Sequence, residues 1–258
     1  MNKIVPIPAF ADNYIWAIHS LNDSMVAVVD PGDAEPVLQY LQKSQLSLNA
    51  ILITHRHWDH TNGIAQLLEH FPNIPVYGPD KSVDQITNIV DDTTLVTLEA
   101  QALKLSVMTI PGHTLDHIAY AGEGILFCGD TLFSAGCGKI FEGTPQQMYD
   151  SLNKLANLDD DTLIYCGHEY TLNNLAFALS LEPDNKQIRA KAIEIANLTA
   201  VGKASLPSRL GDEKKFNPFL KCHLLEFQNQ IILLTGKKLS SAVDFFTEVR
   251  SMKDHFKA

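Results

Sequence analysis

Four side chains able to bind metal fall within six residues of the stretch His55-Arg56-His57-Trp58-Asp59-His60, directly after the apolar run Ala50-Ile51-Leu52-Ile53. Side chains two apart on an extended chain point the same way, so His55 and His57 can grip one ion. Asp59 and His60 come where the chain turns toward a helix and face a different point, which suits two neighbouring metal sites better than one. Three later stretches share one pattern, an apolar run, a glycine and a ligand-type residue: Ile110-Pro111-Gly112-His113, Leu126-Phe127-Cys128-Gly129-Asp130 and Ile164-Tyr165-Cys166-Gly167-His168. Glycine there permits a tight exit from a strand or close backbone approach. Imidazole and carboxylate without thiolate suit zinc, iron or manganese. Cys128 and Cys166 each precede the glycine and point away from the ligands, into the core. His117 is expected on the next strand, bonding behind the site, and Trp58 is expected to pack beneath it. His19, His70, His223 and His255 have no such company and read as surface or core residues.

The elements that must position these residues are short. β-type runs occur at Tyr14–His19, Met25–Asp30, Ala50–Ile53, Leu103–Ile110, Ile125–Cys128 and Leu163–Cys166, with turn residues between them. Helical periodicity predicts helices from Pro36 to about Gln45 and from Thr61 to Phe71. Thr144, with Pro145 next and Gln147 three residues on, reads as a capping box opening another. After Cys166 the texture becomes helical, at Leu172–Leu181, Gln187–Leu198 and around Leu239–Arg250, which places a boundary near residue 170. Mixed strands and helices of this kind imply sheet covered by helices.

Composition narrows the function. The 258 residues are 45% hydrophobic and 19% charged, ordinary usage for a chain with a sizeable core. No apolar run exceeds five residues (Met25–Val29 is one), so no membrane-spanning helix is expected. Pro6, Pro8 and Asp12 stand where a signal peptide needs apolar residues. Four cysteines without a CxxC pair fit free thiols in a reducing compartment, and the expected location is cytoplasmic. The net charge of −10 is uneven: residues 1–170 hold 7 basic against 21 acidic side chains, and residues 171–258 hold 13 against 9. An acidic body argues against non-specific nucleic-acid binding. The basic tail reads either as a solvated helical face or as a cationic segment that collects a small anion.

Taken in order, His55-x-His57-x-Asp59-His60, His113, Asp130 and His168, with Asp30-Pro31-Gly32 before them, resemble the metallo-β-lactamase superfamily. Longer signatures narrow the resemblance to the glyoxalase II (hydroxyacylglutathione hydrolase) family. They are Ala11-Asp12-Asn13-Tyr14, Gly129-Asp130-Thr131-Leu132-Phe133, Gly136-Cys137-Gly138-Lys139, Phe141-Glu142-Gly143-Thr144, Cys166-Gly167-His168-Glu169-Tyr170-Thr171 and Asn217-Pro218-Phe219-Leu220. The resemblance implies an α/β (α+β) fold, an αββα sandwich with a C-terminal helical domain: residues 1–170 catalytic, residues 171–258 helical and substrate-binding. It implies two divalent metal ions, zinc first with iron or manganese as alternatives. His55, His57 and His113 would hold one ion, Asp59, His60 and His168 the other, and Asp130 would bridge them, with Asp59 and Asp130 at the catalytic centre. Lys139, Phe141, Tyr170, Arg250 and Lys253 would contact the substrate, a small-molecule glutathione thioester such as S-lactoylglutathione, in methylglyoxal detoxification by a monomer. Two departures stand out: Phe141 where some members have tyrosine, and Lys221-Cys222-His223 where an arginine often follows Asn-Pro-Phe-Leu. Rival readings are a one-iron persulfide dioxygenase of the same superfamily, a lactonase or nuclease, and a non-catalytic metal-binding module. The basic tail and the glutathione-type signatures favour the thioester hydrolase.

Overall fold

The computed structural model describes residues 2–257. The chain divides into two compact units, one of Met1–Thr109, Asp116–Gly129 and Tyr165–His168, the other of Ile110–Leu115, Asp130–Ile164 and Glu169–Ala258. The chain passes from the first unit to the second for the last time between His168 and Glu169, and Ile110–Leu115 and Asp130–Ile164 belong to the second unit.

The first unit opens with a six-stranded sheet of β1 (Ile4–Ala9), β2 (Asn13–His19), β3 (Met25–Val29), β4 (Ser47–Leu52), β5 (Val76–Gly78) and β6 (Asn88–Ile89), paired in that order. β1 to β3 are antiparallel, and β3 to β6 run parallel, connected between β3 and β4 by α1 (Ala34–Ser44) and between β4 and β5 by α2 (Trp58–Thr61) and α3 (Ile64–His70). Ile15, Ala17, Val26, Val28 and Ile51 pack against Val37 and Leu41 of α1 and Ile64 and Leu67 of α3. Their neighbours on the opposite face, Trp16, Ile18, Ala27, Val29 and Leu52, are equally buried. Burial on both faces explains why these strands read as continuous apolar runs rather than alternating ones.

The second sheet starts as an antiparallel meander of β7 (Leu95–Leu98), β8 (Leu103–Thr109), β9 (Ile118–Gly122) and β10 (Ile125–Gly129). A hairpin of β11 (Leu132–Phe133) and β12 (Gly136–Cys137) and the helix α4 (Pro145–Ala156) then precede β13 (Leu163–Cys166), which lies beside β10. The rest is mainly helical: α5 (Thr171–Leu181), α6 (Lys186–Ala200), the short β14 (Ser208–Arg209) paired with β13, α7 (Leu210–Phe216), a 3₁₀ turn at Pro218–Leu220, α8 (Leu225–Thr235) and α9 (Ala242–His255). Leu175 and Ala178 of α5, Ile188 and Ile195 of α6, and Phe216 of α7 form the core of this part with Ala135.

Most predicted elements are present within a few residues. The helix expected over Thr61–Phe71 is two helices, because the chain breaks at Asn62-Gly63, where the Gly63 N–H bonds to the Pro31 carbonyl at 3.0 Å rather than continuing the first turn. The capping box is present: the Thr144 hydroxyl accepts from the Gln147 N–H at 3.2 Å, and the Gln147 side chain accepts from the Thr144 N–H at 2.9 Å. Thr144→Ala is expected to lower stability by about 1 kcal/mol, the usual worth of such a cap, read as a shift in the urea unfolding midpoint at unchanged slope.

Candidate metal centre

In the first unit the ligands predicted at the exit of β4 converge. Asp59 Oδ2 lies 3.5 Å from His60 Nε2 and 3.4 Å from His168 Nε2. His55 Nε2 and His57 Nδ1 face each other at 3.2 Å. In the second unit His113 Nε2 lies 3.6 Å from Asp130 Oδ2. Ligand atoms about 2.0–2.2 Å from a tetrahedral ion stand roughly 3.3–3.6 Å apart. These separations are therefore those of donors spaced to share a cation, and the residues fit the metal that their chemistry implies.

An imidazole aims a lone pair at a metal only when its other nitrogen carries the proton and that proton is bound. Each of four histidines has such a partner. His60 Nδ1 is 3.1 Å from Asp30 Oδ2, His168 Nδ1 is 2.8 Å from Asp12 Oδ1, and His113 Nδ1 is 2.8 Å from the Lys139 carbonyl. The Thr54 hydroxyl donates to Asp30 Oδ2 at 2.7 Å, so its oxygen is left to accept from His55 Nδ1 at 3.1 Å. That arrangement leaves the His55 Nε2 lone pair toward His57. Asp30, His55 and His60 also form a close group. Both Asp30 oxygens, however, are already engaged, by the Thr54 N–H at 2.8 Å and by the Thr54 hydroxyl and His60 Nδ1. Asp59 is steadied by Asn13, whose amide donates to Oδ2 at 3.0 Å.

The local backbone serves the same end. Asp30 leaves β3 at φ +52, a left-handed conformation costly for a non-glycine residue, and this turns its carboxylate back over Thr54. Gly129 ends β10 at φ +46, and a Cβ there would lie 2.3 Å from the Thr54 hydroxyl and 2.9 Å from the His117 ring, so only glycine fits. His117, immediately before β9, is fully buried, stacks on His55 at 4.5 Å and has its Nδ1 3.0 Å from the Ile118 carbonyl, a place behind the ligands as expected. Trp58 departs from expectation. It is 64% exposed and meets the Phe10 ring edge-on, because it opens α2 on the solvent side while Asp59 and His60 turn inward.

The residues expected at the substrate all lie in the second unit. Phe141 is exposed, meets His113 edge-on at 5.2 Å and lies under the Lys139 ammonium at 5.4 Å. Tyr170 is partly exposed beside Phe133. Arg250 is only 8% exposed: Nη1 donates to the Cys137 carbonyl at 2.8 Å, Nη2 pairs with Asp254 at 3.1 Å, and the guanidinium stacks on Phe219. Lys253 bonds to Asn173 between the rings of Phe177 and Phe256, and burial, with Arg250 nearby, pulls its pKa down to about 8.

Residues 13–168 match the metallo-beta-lactamase superfamily, and residues 169–256 match the hydroxyacylglutathione hydrolase C-terminus. The hydroxyacylglutathione hydrolase of Aeromonas salmonicida is 51% identical over 99% of this chain and 100% of its own. That of Photobacterium profundum is 47% identical over the same shares. The chain belongs to the hydroxyacylglutathione hydrolase family of the metallo-β-lactamase superfamily. Among solved structures, ETHE1 from Myxococcus xanthus superposes with a TM-score of 0.64 at 24% identity, covering 98% of each chain. A di-iron-bound form of TTHA1623 superposes with a TM-score of 0.59 at 21% identity, covering 84% of this chain and 100% of the other. Those two likenesses concern the fold, which is the superfamily's α+β arrangement of mixed sheets and helices with a helical C-terminal region.

Within this family fold, the roles that sequence reasoning missed are those of Asp12, Asp30 and Thr54. Asp12 and Asp30 stand in the quoted signatures, yet nothing local assigns them a histidine: Asp12 meets His168 across 156 positions of chain. Asp12 is the most accessible of these partners, so Asp12→Ala is expected to leave folding intact and weaken metal binding about 10–100-fold. Competition with a chelator measures it, and unchanged affinity would remove Asp12 from the site.

Proposed function

We propose that this chain hydrolyses the thioester of S-(2-hydroxyacyl)glutathione, such as S-lactoylglutathione, to glutathione and a 2-hydroxy acid, D-lactate in that case. It is a thioester hydrolase, and its place is in methylglyoxal detoxification. The observation that carries the reading is the match of residues 169–256 to the hydroxyacylglutathione hydrolase C-terminus. The His-x-His-x-Asp-His block belongs to the whole superfamily, whereas this segment belongs to the glutathione-thioester branch. Residues 1–170 serve as the catalytic segment and residues 171–258 as the substrate-binding one, in a cytoplasmic monomer.

In this reading His55, His57 and His113 would hold one divalent ion, Asp59, His60 and His168 would hold a second, and Asp130 would be shared between them. Zinc is the first expectation for such nitrogen and oxygen donors, with iron and manganese as alternatives. When bound, the ions supply hydroxide at neutral pH and polarise the acyl carbonyl. The chain's own part is to hold and orient. Asp59 and Asp130 are the catalytic carboxylates, Asp59 directed by Asn13 and Asp130 set against His113. No thiol of the protein is poised as a nucleophile: all four cysteines are buried, and burial pushes the Cys137 pKa up to about 11 and that of Cys222 higher still. Direct hydrolysis suits a thioester, whose thiolate, with a free pKa of about 8.5, leaves more readily than an amine.

A glutathione thioester carries two carboxylates. Lys139 and Lys253 supply cations for them, Tyr170 a phenolic donor, and Arg250 lends its charge from beneath. Phe141 offers a ring face without the hydroxyl of its tyrosine counterparts, so one polar contact is missing here.

Purified protein is expected to cleave S-lactoylglutathione and to carry about two equivalents of divalent metal by elemental analysis. Asp130→Asn and His55→Ala should lose metal and activity together, and full activity in either would overturn the ligand assignment. Lys253 adds a pH signature. Its ammonium binds a substrate carboxylate only when protonated, and with its pKa lowered to about 8 the free enzyme loses that charge as pH rises through 8. kcat/KM should therefore fall above pH 8 while kcat changes less, since bound substrate retains the proton. Lys253→Arg, charged throughout, should move that fall to higher pH, and superimposable profiles would exclude Lys253 from substrate binding.

A further inference from the structure

The hairpin of β11 and β12 has two residues in each strand, and a ribbon that short has no stability of its own. Four buried side chains of the second unit take hold of its backbone. Asn174 of α5 donates to the Ser134 carbonyl at 3.1 Å. Glu213 of α7 accepts the Ala135 N–H at 2.7 Å through Oε2. Asn217, just after α7, donates to the carbonyls of Phe133 at 3.1 Å and Gly136 at 3.0 Å, and to Glu213 Oε2 at 3.2 Å. Arg250 of α9 reaches the Cys137 carbonyl. Ala135, at the turn, sits at φ +54, a left-handed conformation that a non-glycine residue keeps only when its surroundings impose it.

What this small hairpin carries is out of proportion to its size. Asp130 stands just before β11 and Gly138 just after β12, with the Gly138 N–H on the Thr131 carbonyl at 3.1 Å. A Cβ on Gly138 would lie 1.8 Å from the Asp130 carbonyl oxygen, so the two strand ends are in the closest possible contact. One residue further, the Lys139 carbonyl orients His113 Nδ1, and the His113 Nε2 so directed lies 3.6 Å from Asp130 Oδ2. The position of the hairpin thus sets the spacing of that donor pair.

We propose that Glu213, acting with Asn217, is a positioning residue for the His113–Asp130 pair: its buried carboxylate fastens the hairpin turn and so fixes the geometry with which the two side chains meet a metal. The proposal rests on the reading of His113 and Asp130 as ligands. A wholly buried carboxylate is a costly way to satisfy one turn amide. Burial pushes the Glu213 pKa up, while the Ala135 amide, the nearby serine hydroxyls and Asn217 all favour the charged form.

The test is a series of Glu213→Gln, Glu213→Leu and Asn174→Ala beside Asp130→Asn, each loaded with cobalt(II). The readouts are visible absorption, cobalt affinity by chelator competition, and thermal unfolding. Glu213→Leu is expected to weaken cobalt binding about 10–100-fold and to change the absorption bands while unfolding stays cooperative. Glu213→Gln, which keeps one acceptor oxygen, should recover most of the affinity, and Asn174→Ala should fall between them. Thioester turnover should show lower kcat at a KM within about twofold of wild type. If Glu213→Leu does not fold, an altered cobalt spectrum in folded Glu213→Gln or Asn174→Ala still supports the proposal. Wild-type spectra and affinities in every folded variant, with Asp130→Asn alone altered, would overturn the positioning role and leave the ligand reading standing. Wild-type cobalt binding in Asp130→Asn would remove both.

Discussion

An imidazole has two nitrogens, and a lone pair points reliably at one place only when the proton on the other nitrogen is held. Much of this protein's architecture answers that constraint. His60 is held by Asp30, His168 by Asp12, His113 by a carbonyl of the chain, and His55 by a threonine hydroxyl that Asp30 itself orients. The partners come from the turn before β2, the end of β3, the end of β4 and the segment after β12. A sheet whose strands end at one level gathers those of the first unit, and a single shift of register would carry a partner to the wrong face. Two of the first unit's left-handed residues, Asp30 and Gly129, stand at strand exits beside these partners.

The uneven charge along the chain finds a more modest explanation than its size invites. Much of the basic C-terminal segment is engaged within its own unit, Lys191 with Glu194, Lys214 with Asp160, Lys215 with Asp212, Arg209 with Asp161 and Lys237 with Glu248. Pairs this exposed contribute little to stability, but they occupy cations that would otherwise make a broad positive field. Lys221 is buried against Glu182 and the Phe227 ring, so its charge is met inside the unit. Of the expected substrate cations, Lys139 and Lys253 lie over aromatic rings, and Arg250 is spent on the backbone of the β11/β12 hairpin.

The helical segment that distinguishes this family therefore does more than present a surface. α5, α7 and α9 each send a side chain to that hairpin, the residues that mark α7 and the turn after it, Glu213 and Asn217, being among them. The Asp130 carboxylate, proposed above as catalytic, is flanked by so short a ribbon that it depends on these outside bonds for its aim, since the ribbon's own ladder is too small to keep it.

Residue types and short spacings determined the donor set, because ligand chemistry and the two-residue alternation of an extended chain are local properties; the longer strands, α1, α5, α6 and the Thr144 cap were legible for the same reason. Short strands such as β5, β6, β11 and β12 were not, since two or three residues carry no period, and the break at Gly63 was hidden because it follows from a bond to Pro31 thirty-two positions earlier. Tertiary structure alone decided that Asp30 and Asp12 bond to His60 and His168, that Trp58 faces solvent, and that Arg250 turns inward. Each of those outcomes depends on groups brought together by chain closure over tens to more than a hundred residues, and no window of sequence contains both partners.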